Sequence, residues 1–350
     1  MGDARRAAAA GLVLGAGACY CIYRLTRKAT GAAVETERAA GARDGSAPAG
    51  GLLPLVSGLS ALPSLALGGL ASRRSDTDLP QSPCQLDVHH LQKLIHLLKF
   101  TDDPLIQEQA LVSLSNSAAF SVNQDIIRNL DGLSVIGRML SDSIPKVKEK
   151  ALNALNNLSM NVKNQEEIKV YILQVCKEIE ISPLNSDLQL AGLRLLTNMS
   201  VTNDYHHMMT NGIPCFLHLL SEGNERTKVQ VLKILVNLSA NPAMIQHLCS
   251  AQAPSLLSLF DYGINKEILL RALTFAVNLN QNMKNEDGII TQDLSSEDSI
   301  FFLLCGHSTQ YAQKLVRLLH HQDTEVKEQA AKIITQQRGE ILRDSSGKLQ

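Results

Sequence analysis

Asparagine recurs at one point of a repeated sequence pattern, and three of these asparagines begin an acceptor motif for N-linked sugars. Residues 157–159, 198–200 and 237–239 read Asn-Leu-Ser, Asn-Met-Ser and Asn-Leu-Ser, and each matches Asn-x-Ser. Glycosylation would place bulky sugars at the same point of three successive helices. A structural position that recurs in every copy of a repeat explains the three matches together. We therefore interpret these motifs as by-products of the repeat and expect the domain to face the cytosol.

Other residues with chemical potential do not form catalytic or metal-binding sets. The histidine pairs at 89–90, 206–207 and 320–321 consist of adjacent residues, which point about 100° apart on a helix and chelate poorly. The sequence has no HExxH, phosphate-loop, GxSxG or GxGxxG motif, so none of the usual hydrolytic or nucleotide sites is indicated. We predict a non-enzymatic protein with no cofactor, no metal and no small-molecule substrate.

The amino-acid composition limits the classes of partner and the cellular compartment that the protein can be expected to have. The 350 residues include 33 Lys and Arg against 34 Asp and Glu, for a net charge of -1. Such a balance gives no electrostatic reason to bind nucleic acid. The 7 cysteines are odd in number and scattered, without a CxxC pair, which is typical of a reducing compartment.

The N-terminus has the pattern of a membrane anchor. Residues 7–23 carry no charge, and we predict a signal anchor over residues 1–28. The apolar residues that we assign to the membrane are Leu12, Val13, Leu14 and Ile22. The basic residues that flank them are Arg24, Arg27 and Lys28. This basic cluster favours a cytosolic location for the following chain. A cleaved secretory signal is the alternative, and Cys19 and Cys21 are candidate lipidation sites.

Residues 29–85 form a predicted linker rich in Ala, Gly, Pro and Ser. Its segment 45–72 has no charge, so a contact with the membrane is an alternative to disorder; its prolines and paired glycines argue against a spanning helix. The repeats follow in a predicted domain at 86–338, with an acidic insertion at 283–300 and a tail at 339–350.

Six segments share one apolar helical pattern. They occupy residues 108–117, 149–159, 190–200, 229–239, 270–280 and 327–337. The first five carry an aligned asparagine at Asn116, Asn157, Asn198, Asn237 and Asn278, spaced by 41, 41, 39 and 41 residues. A second helical segment precedes each copy, and turn residues lie between them. A period near 41 predicts an all-α solenoid of about six units, in which neighbours share one continuous core.

The repeated ALxxLxNLS pattern resembles the third helix of the armadillo repeat family. With the short anchor and the linker, the chain is similar to the X-linked armadillo proteins of the mitochondrial outer membrane. The resemblance implies a right-handed armadillo-type solenoid whose third helices line a concave groove for an extended peptide. It also implies a non-enzymatic adaptor that influences mitochondrial distribution and dynamics through trafficking adaptors. An endoplasmic reticulum anchor, or a shuttling regulator of cell growth, survival and transcription factors, is the alternative.

A helical wheel places the asparagine away from the core. At 100° per residue, Val147, Ala151, Leu155 and Leu158 share one stripe, and Asn157 lies on a separate, polar stripe. The predicted partner-binding residues are Asn116, Lys146, Lys150, Asn153, Asn157, Arg194, Asn198, Arg226, Gln230, Lys233, Asn237, Arg271 and Asn278. A carboxamide both donates and accepts hydrogen bonds, which suits a peptide backbone. Capping of its own helix or bonding to a neighbouring carbonyl is the alternative.

The polar stripe is richer in basic than in acidic residues. In copies two to five this stripe holds six lysines and arginines, whereas its acidic residues are Asp187 and Glu267. We predict a mildly basic groove that binds an extended or helical segment of acidic character; solvated surface charge is the alternative. Import adaptors that share the fold bind basic signals with tryptophans, and this chain has none.

Overall fold

The computed structural model describes residues 88–283, 296–306 and 308–347. The predicted anchor, the lipidation candidates Cys19 and Cys21, the linker and most of the acidic insertion lie outside these residues. Within the described part, no helix has both the length and the hydropathy needed to cross a membrane.

The described residues form a series of α-helices joined by short turns. The first eight are α1 (Val88–Phe100), α2 (Pro104–Ser117), α3 (Ser121–Asn129), α4 (Gly132–Arg138), α5 (Pro145–Leu158), α6 (Val162–Ile168), α7 (Ile172–Ile181) and α8 (Asp187–Met199). The others are α9 (Ile213–Glu222), α10 (Glu225–Ser239), α11 (Ile245–Cys249), α12 (Lys266–Met283), α13 (Ile300–Leu304), α14 (Thr309–Leu318) and α15 (Thr324–Gly347).

The helices repeat as a short helix, a middle helix and a long third helix. The third helices are α2, α5, α8, α10, α12 and α15, and each packs against the next in that order. Their apolar stripes form a shared core, in which Val147, Ala151, Leu155 and Leu158 are all 0% exposed. The predicted helical solenoid of six stacked units is confirmed for the described residues.

The turns start the third helices with side-chain caps. The carboxylate of Asp103 accepts a hydrogen bond from the Leu105 backbone N–H, and Pro104 occupies the first helical position of α2. Ser186 caps α8 in the same way, and Asn224 caps α10. Such caps satisfy backbone N–H groups that have no partner within the helix. The polar turns therefore fix where α2, α8 and α10 begin, whereas α5 begins after Ile144 without a side-chain cap.

A second set of polar contacts closes the other end of three third helices. A buried side chain six residues further along the chain binds the carbonyl group of the residue that directly follows the helix. The pairs are Gln124 with Ala118 at 2.8 Å, Gln165 with Ser159 at 2.8 Å, and His206 with Ser200 at 2.7 Å. Helix ends leave carbonyl groups without partners, and these contacts satisfy them as the chain turns into the next repeat.

Two elements differ from the regular pattern. Residues Asn203–Gly212 and Leu256–Phe260 form 3-10 helices where the sequence predicted ordinary helical segments. The second lies beside a backbone pairing with the end of the acidic insertion: Ala253 N–H donates to the Asp298 carbonyl at 2.8 Å, and Ile300 N–H donates to the Ala251 carbonyl at 3.0 Å. This pairing and Pro254 shorten the middle helix of that repeat.

Candidate partner-binding groove

One cleft collects five of the predicted groove residues. It has a volume of about 330 Å³ and lies across α2, α5 and α8. The predicted residues that line it are Asn116, Lys150, Asn153, Asn157 and Arg194. Val112, Ser115 and Asn156 complete the lining and were not predicted. The shared repeat position therefore brings these side chains to one surface.

The amide nitrogens of four ladder asparagines point at the preceding third helix. Asn157 Nδ2 donates to the Ser115 carbonyl at 3.0 Å, and Asn198 Nδ2 donates to the Asn156 carbonyl at 3.0 Å. The remaining two donations are from Asn278 to the Val236 carbonyl at 3.2 Å and from Asn237 to Ser200 Oγ at 2.9 Å. The alternative role considered from the sequence, bonding to a neighbouring carbonyl, therefore accounts for three of these four amide nitrogens, and a neighbouring hydroxyl group accounts for the fourth.

The amide oxygens of the ladder remain as acceptors. Within the described residues, Oδ1 of Asn198, Asn237 and Asn278 accepts no hydrogen bond, whereas Asn157 Oδ1 accepts one from Asn156 Nδ2 at 3.2 Å. A backbone carbonyl can accept a hydrogen bond only from the nitrogen of a side-chain amide. The placement of the amide nitrogen and oxygen is therefore fixed at Asn157, Asn198 and Asn278, which each bind a backbone carbonyl. The ladder asparagines thus offer hydrogen-bond acceptors to a partner, rather than both donors and acceptors.

An acidic residue that the sequence count omitted lies beneath the first two lysines. Glu149 is 9% exposed and pairs with Lys146 at 2.8 Å and with Lys150 at 3.0 Å. Burial raises the pKa of Glu149, but the two lysine hydrogen bonds outweigh it and leave the pKa below its usual value. One carboxylate therefore offsets one of the two positive charges that α5 contributes to the groove.

Positive charge converges further along the groove, on α8, α10 and α12. Lys233 is half-buried, and its pKa is lowered first by burial and then by the nearby cations Arg271 and Arg194, against the opposing effect of Glu267. Glu267 pairs with Arg271 at 2.7 Å. Arg194 and Lys233 form no ion pair with the described residues. The uncompensated charge of the groove is centred on these two side chains.

Two other residues of α10 that were predicted to bind the partner, Arg226 and Gln230, have environments that differ from that of Lys233. Arg226 is exposed near the start of the helix. The Oε1 atom of Gln230 accepts a hydrogen bond from Thr197 Oγ1 at 3.3 Å, so this side chain joins α10 to α8. The count of six basic groups against two acids thus overstated the net positive charge at α5. It also implied a more even distribution of charge along the groove than the structure has.

A family model described as armadillo-like matches residues 86–305. The chain belongs to the armadillo-like family. One designed armadillo repeat protein is 17% identical over 71% of this chain and 99% of its own, with a TM-score of 0.56. Another, solved in complex with the peptide (KR)4, is 16% identical over 71% of this chain and 99% of its own, with a TM-score of 0.57. Designed armadillo repeat proteins for modular peptide recognition are also similar, at 17% identity over 70% of this chain and 99% of that one and a TM-score of 0.58.

The armadillo-like domain has a second cavity, away from the ladder. It has a volume of about 260 Å³ and lies between α9 and the segment at 252–259, with Leu217, His218 and Pro254 in its lining. No feature of the sequence distinguished these residues from ordinary helix-packing positions. The cavity exists because the middle element of the fifth repeat is a short 3-10 helix.

Proposed function

We propose that this armadillo-like chain is a non-enzymatic interaction scaffold, anchored in a membrane, whose groove binds an extended or helical protein segment of acidic character. The observation that carries the proposal is the convergence of Arg194, Lys233 and Arg271. Arg194 and Lys233 each lie one helical turn before a ladder asparagine, Asn198 and Asn237. Designed armadillo repeat proteins of similar fold serve modular peptide recognition, and one was solved with a bound peptide, which supports a role in protein binding.

Electrostatics favours an acidic partner. Lys233 carries its charge in a half-buried position next to two guanidinium groups, and a carboxylate placed among them would relieve the repulsion. The ladder oxygens suit backbone N–H groups of the same partner segment. One designed relative was solved with a basic peptide; we expect this groove to prefer the opposite charge.

Peptide binding to the full chain in detergent micelles tests the preference. Fluorescent (DE)4 and (KR)4 peptides serve as opposite probes of equal length. We expect (DE)4 to bind more tightly, with an affinity that falls as salt rises. The double variant Arg194→Glu/Lys233→Glu should weaken (DE)4 binding at least about tenfold, because it replaces attraction by repulsion.

A matched charge reversal off the groove is the control. Lys177 on α7 and Arg317 on α14 are exposed, so Lys177→Glu/Arg317→Glu changes the net charge by the same amount. This control should retain (DE)4 affinity. Equal losses in both double variants, or tighter binding of (KR)4 by the unmodified chain, would reject the groove assignment. Lys150 is left unchanged because its reversal would leave Glu149 beside a second carboxylate.

For the location we propose the mitochondrial outer membrane, with the armadillo-like domain in the cytosol. The apolar segment and its basic flank in residues 1–28 support an anchor. The similarity to X-linked armadillo proteins supports a role in mitochondrial distribution and dynamics through trafficking adaptors. The endoplasmic reticulum membrane is the alternative location, and regulation of cell growth and survival is the alternative role.

A further inference from the structure

Three sulfur atoms meet at the base of the acidic insertion. Cys249 ends α11, Met283 ends α12, and Cys305 follows α13. The Cys305 thiol lies 3.4 Å from Met283 Sδ, and the Cys249 thiol lies 3.8 Å from the same atom. Both cysteines are reduced. Cys249 is 1% exposed, whereas Cys305 and Met283 are half-buried, so solvent reaches one side of the cluster.

Two buried polar groups beside this cluster lack partners. Asn280 is 4% exposed, and its Oδ1 accepts a hydrogen bond from the Cys305 thiol at 3.2 Å. Its Nδ2 and the hydroxyl group of Tyr311 have no hydrogen-bond partner within the part of the chain that the structure describes. Burial, and then the charge of the Cys305 sulfur, raise the pKa of Tyr311.

This arrangement can accommodate a thiolate as well as a thiol. A buried donor without a partner is unfavourable, because it has lost its hydrogen bonds to water. Rotation of the Asn280 amide by half a turn exchanges its oxygen and nitrogen with almost no change of shape, and Nδ2 would then donate to an anionic sulfur. Residues that donate hydrogen bonds to metal-bound thiolates support metal sites in this way.

The ligand set selects a soft, monovalent metal. Thiolate and thioether sulfur favour Cu(I), whereas structural zinc takes four ligands from cysteine, histidine and carboxylates. Among the described residues, no group of three such side chains is suitably placed. Three sulfurs around one ion at a bond length of about 2.3 Å lie about 4 Å apart, close to the two distances seen here.

We propose that Cys249, Met283 and Cys305 form a three-coordinate Cu(I) site. Each thiol releases its proton to solvent as its sulfur bonds to copper, the thioether binds through a lone pair, and the metal remains Cu(I) throughout. Asn280 donates to the Cys305 thiolate and acts as a positioning residue. Since Met283 is the first residue of the insertion and Cys305 follows the insertion, the metal would join the two ends of that segment.

Competition for Cu(I) in the full chain tests the site. The reduced protein in detergent micelles receives Cu(I) as its acetonitrile complex, with bathocuproine disulfonate as the competing chelator. Peptide mapping after alkylation then identifies the protected thiols. We expect one equivalent of Cu(I) to protect Cys249 and Cys305. Retention against the chelator should fall about 100-fold in Cys305→Ser, and about tenfold in Met283→Leu and Asn280→Leu.

The other pair of half-buried thiols provides the control. Cys176 and Cys215 lie on α7 and α9, and burial, named first among the causes, raises their pKa values to about 12 and about 11. The Cys176→Ser/Cys215→Ser variant should bind copper as the unmodified protein does. Circular dichroism without copper shows whether each variant is folded. Unprotected Cys249 and Cys305, or unchanged retention in folded Met283→Leu and Asn280→Leu, would overturn the proposal.

Discussion

His206 takes a position that glutamine fills in the two preceding repeats. Its Nε2–H donates to the Ser200 carbonyl, and its Nδ1 accepts from Asn241 Nδ2 at 3.1 Å, so the bonded form is the neutral ring. Burial lowers the pKa of His206, and the bond to Ser200 opposes that effect only in part. The side chain therefore couples the junction between two repeats to pH.

The sign of this coupling gives a prediction. The unfolded chain binds a proton at His206 near its ordinary pKa of about 6.5, whereas the folded chain binds it at lower pH. The contribution of His206 to stability is thus complete above about pH 6.5 and is lost as the pH falls below it, by at most about 1.4 kcal/mol per pH unit. In His206→Gln, the free energy of unfolding should fall less between pH 7.5 and 5.5.

Urea unfolding of the full chain at a series of pH values measures this difference. His207 is the exposed neighbour of His206, so His207→Gln makes the same chemical change at the surface and should leave the pH profile as it is. Glutamine already binds the equivalent carbonyl at Gln124 and Gln165, which makes the substitution compatible with the fold. Superimposable profiles for the unmodified chain and His206→Gln would contradict the coupling.

At the scale of elements, the start of α4 depends on the absence of a side chain. A Cβ atom at Gly132 would lie 2.7 Å from the Ile127 backbone carbonyl oxygen and 2.9 Å from Ile95 Cδ1. The first of these atoms is backbone, so α3 itself would have to move. Gly132→Ala should therefore reduce the free energy of unfolding by about 1–3 kcal/mol, measured as a shift of the urea midpoint.

Gly263→Ala is the matched control for Gly132→Ala. A Cβ atom there has nothing within 4 Å, so Gly263→Ala should leave stability unchanged or raise it by up to about 1 kcal/mol through the unfolded state. A loss in Gly263→Ala as large as that in Gly132→Ala would show that the close approach at α4 is not the cause.

The elements also show how far the sequence could predict the structure. Helical periodicity and polar turns identified the stacked third helices because both signals are local. The pairing of Glu149 with two lysines depends on side-chain rotamers, and the direction of the ladder amides depends on contacts between residues about 40 positions apart. The sulfur cluster likewise joins three separate helices. The Lys146–Glu149 pair has an i,i+3 spacing that a helical pattern can reveal, whereas the ladder contacts and the sulfur cluster have no local signature. The sequence therefore indicated the groove but not its charge centre.

At the scale of the whole molecule, the proposed scaffold requires both an anchor and a groove. Deletion of residues 1–28 should move the protein from the membrane fraction to the soluble fraction, because the apolar segment with its basic flank is removed. Fractionation with markers of mitochondria and of the endoplasmic reticulum measures this and separates the two locations. Retention of the truncated chain in the membrane fraction would contradict the anchor.

The double role of the ladder asparagines has a consequence for mutational scanning. Each nitrogen holds two repeats together, whereas the amide oxygens of the half-buried Asn198 and Asn278 accept no hydrogen bond from the described residues. Any replacement of these asparagines alters folding and recognition together, so abundance and binding scores will fall in parallel there. At Arg194 and Lys233, which form no ion pair with the described residues, abundance should stay constant while binding changes. The positions that identify the natural partner are therefore the charged ones.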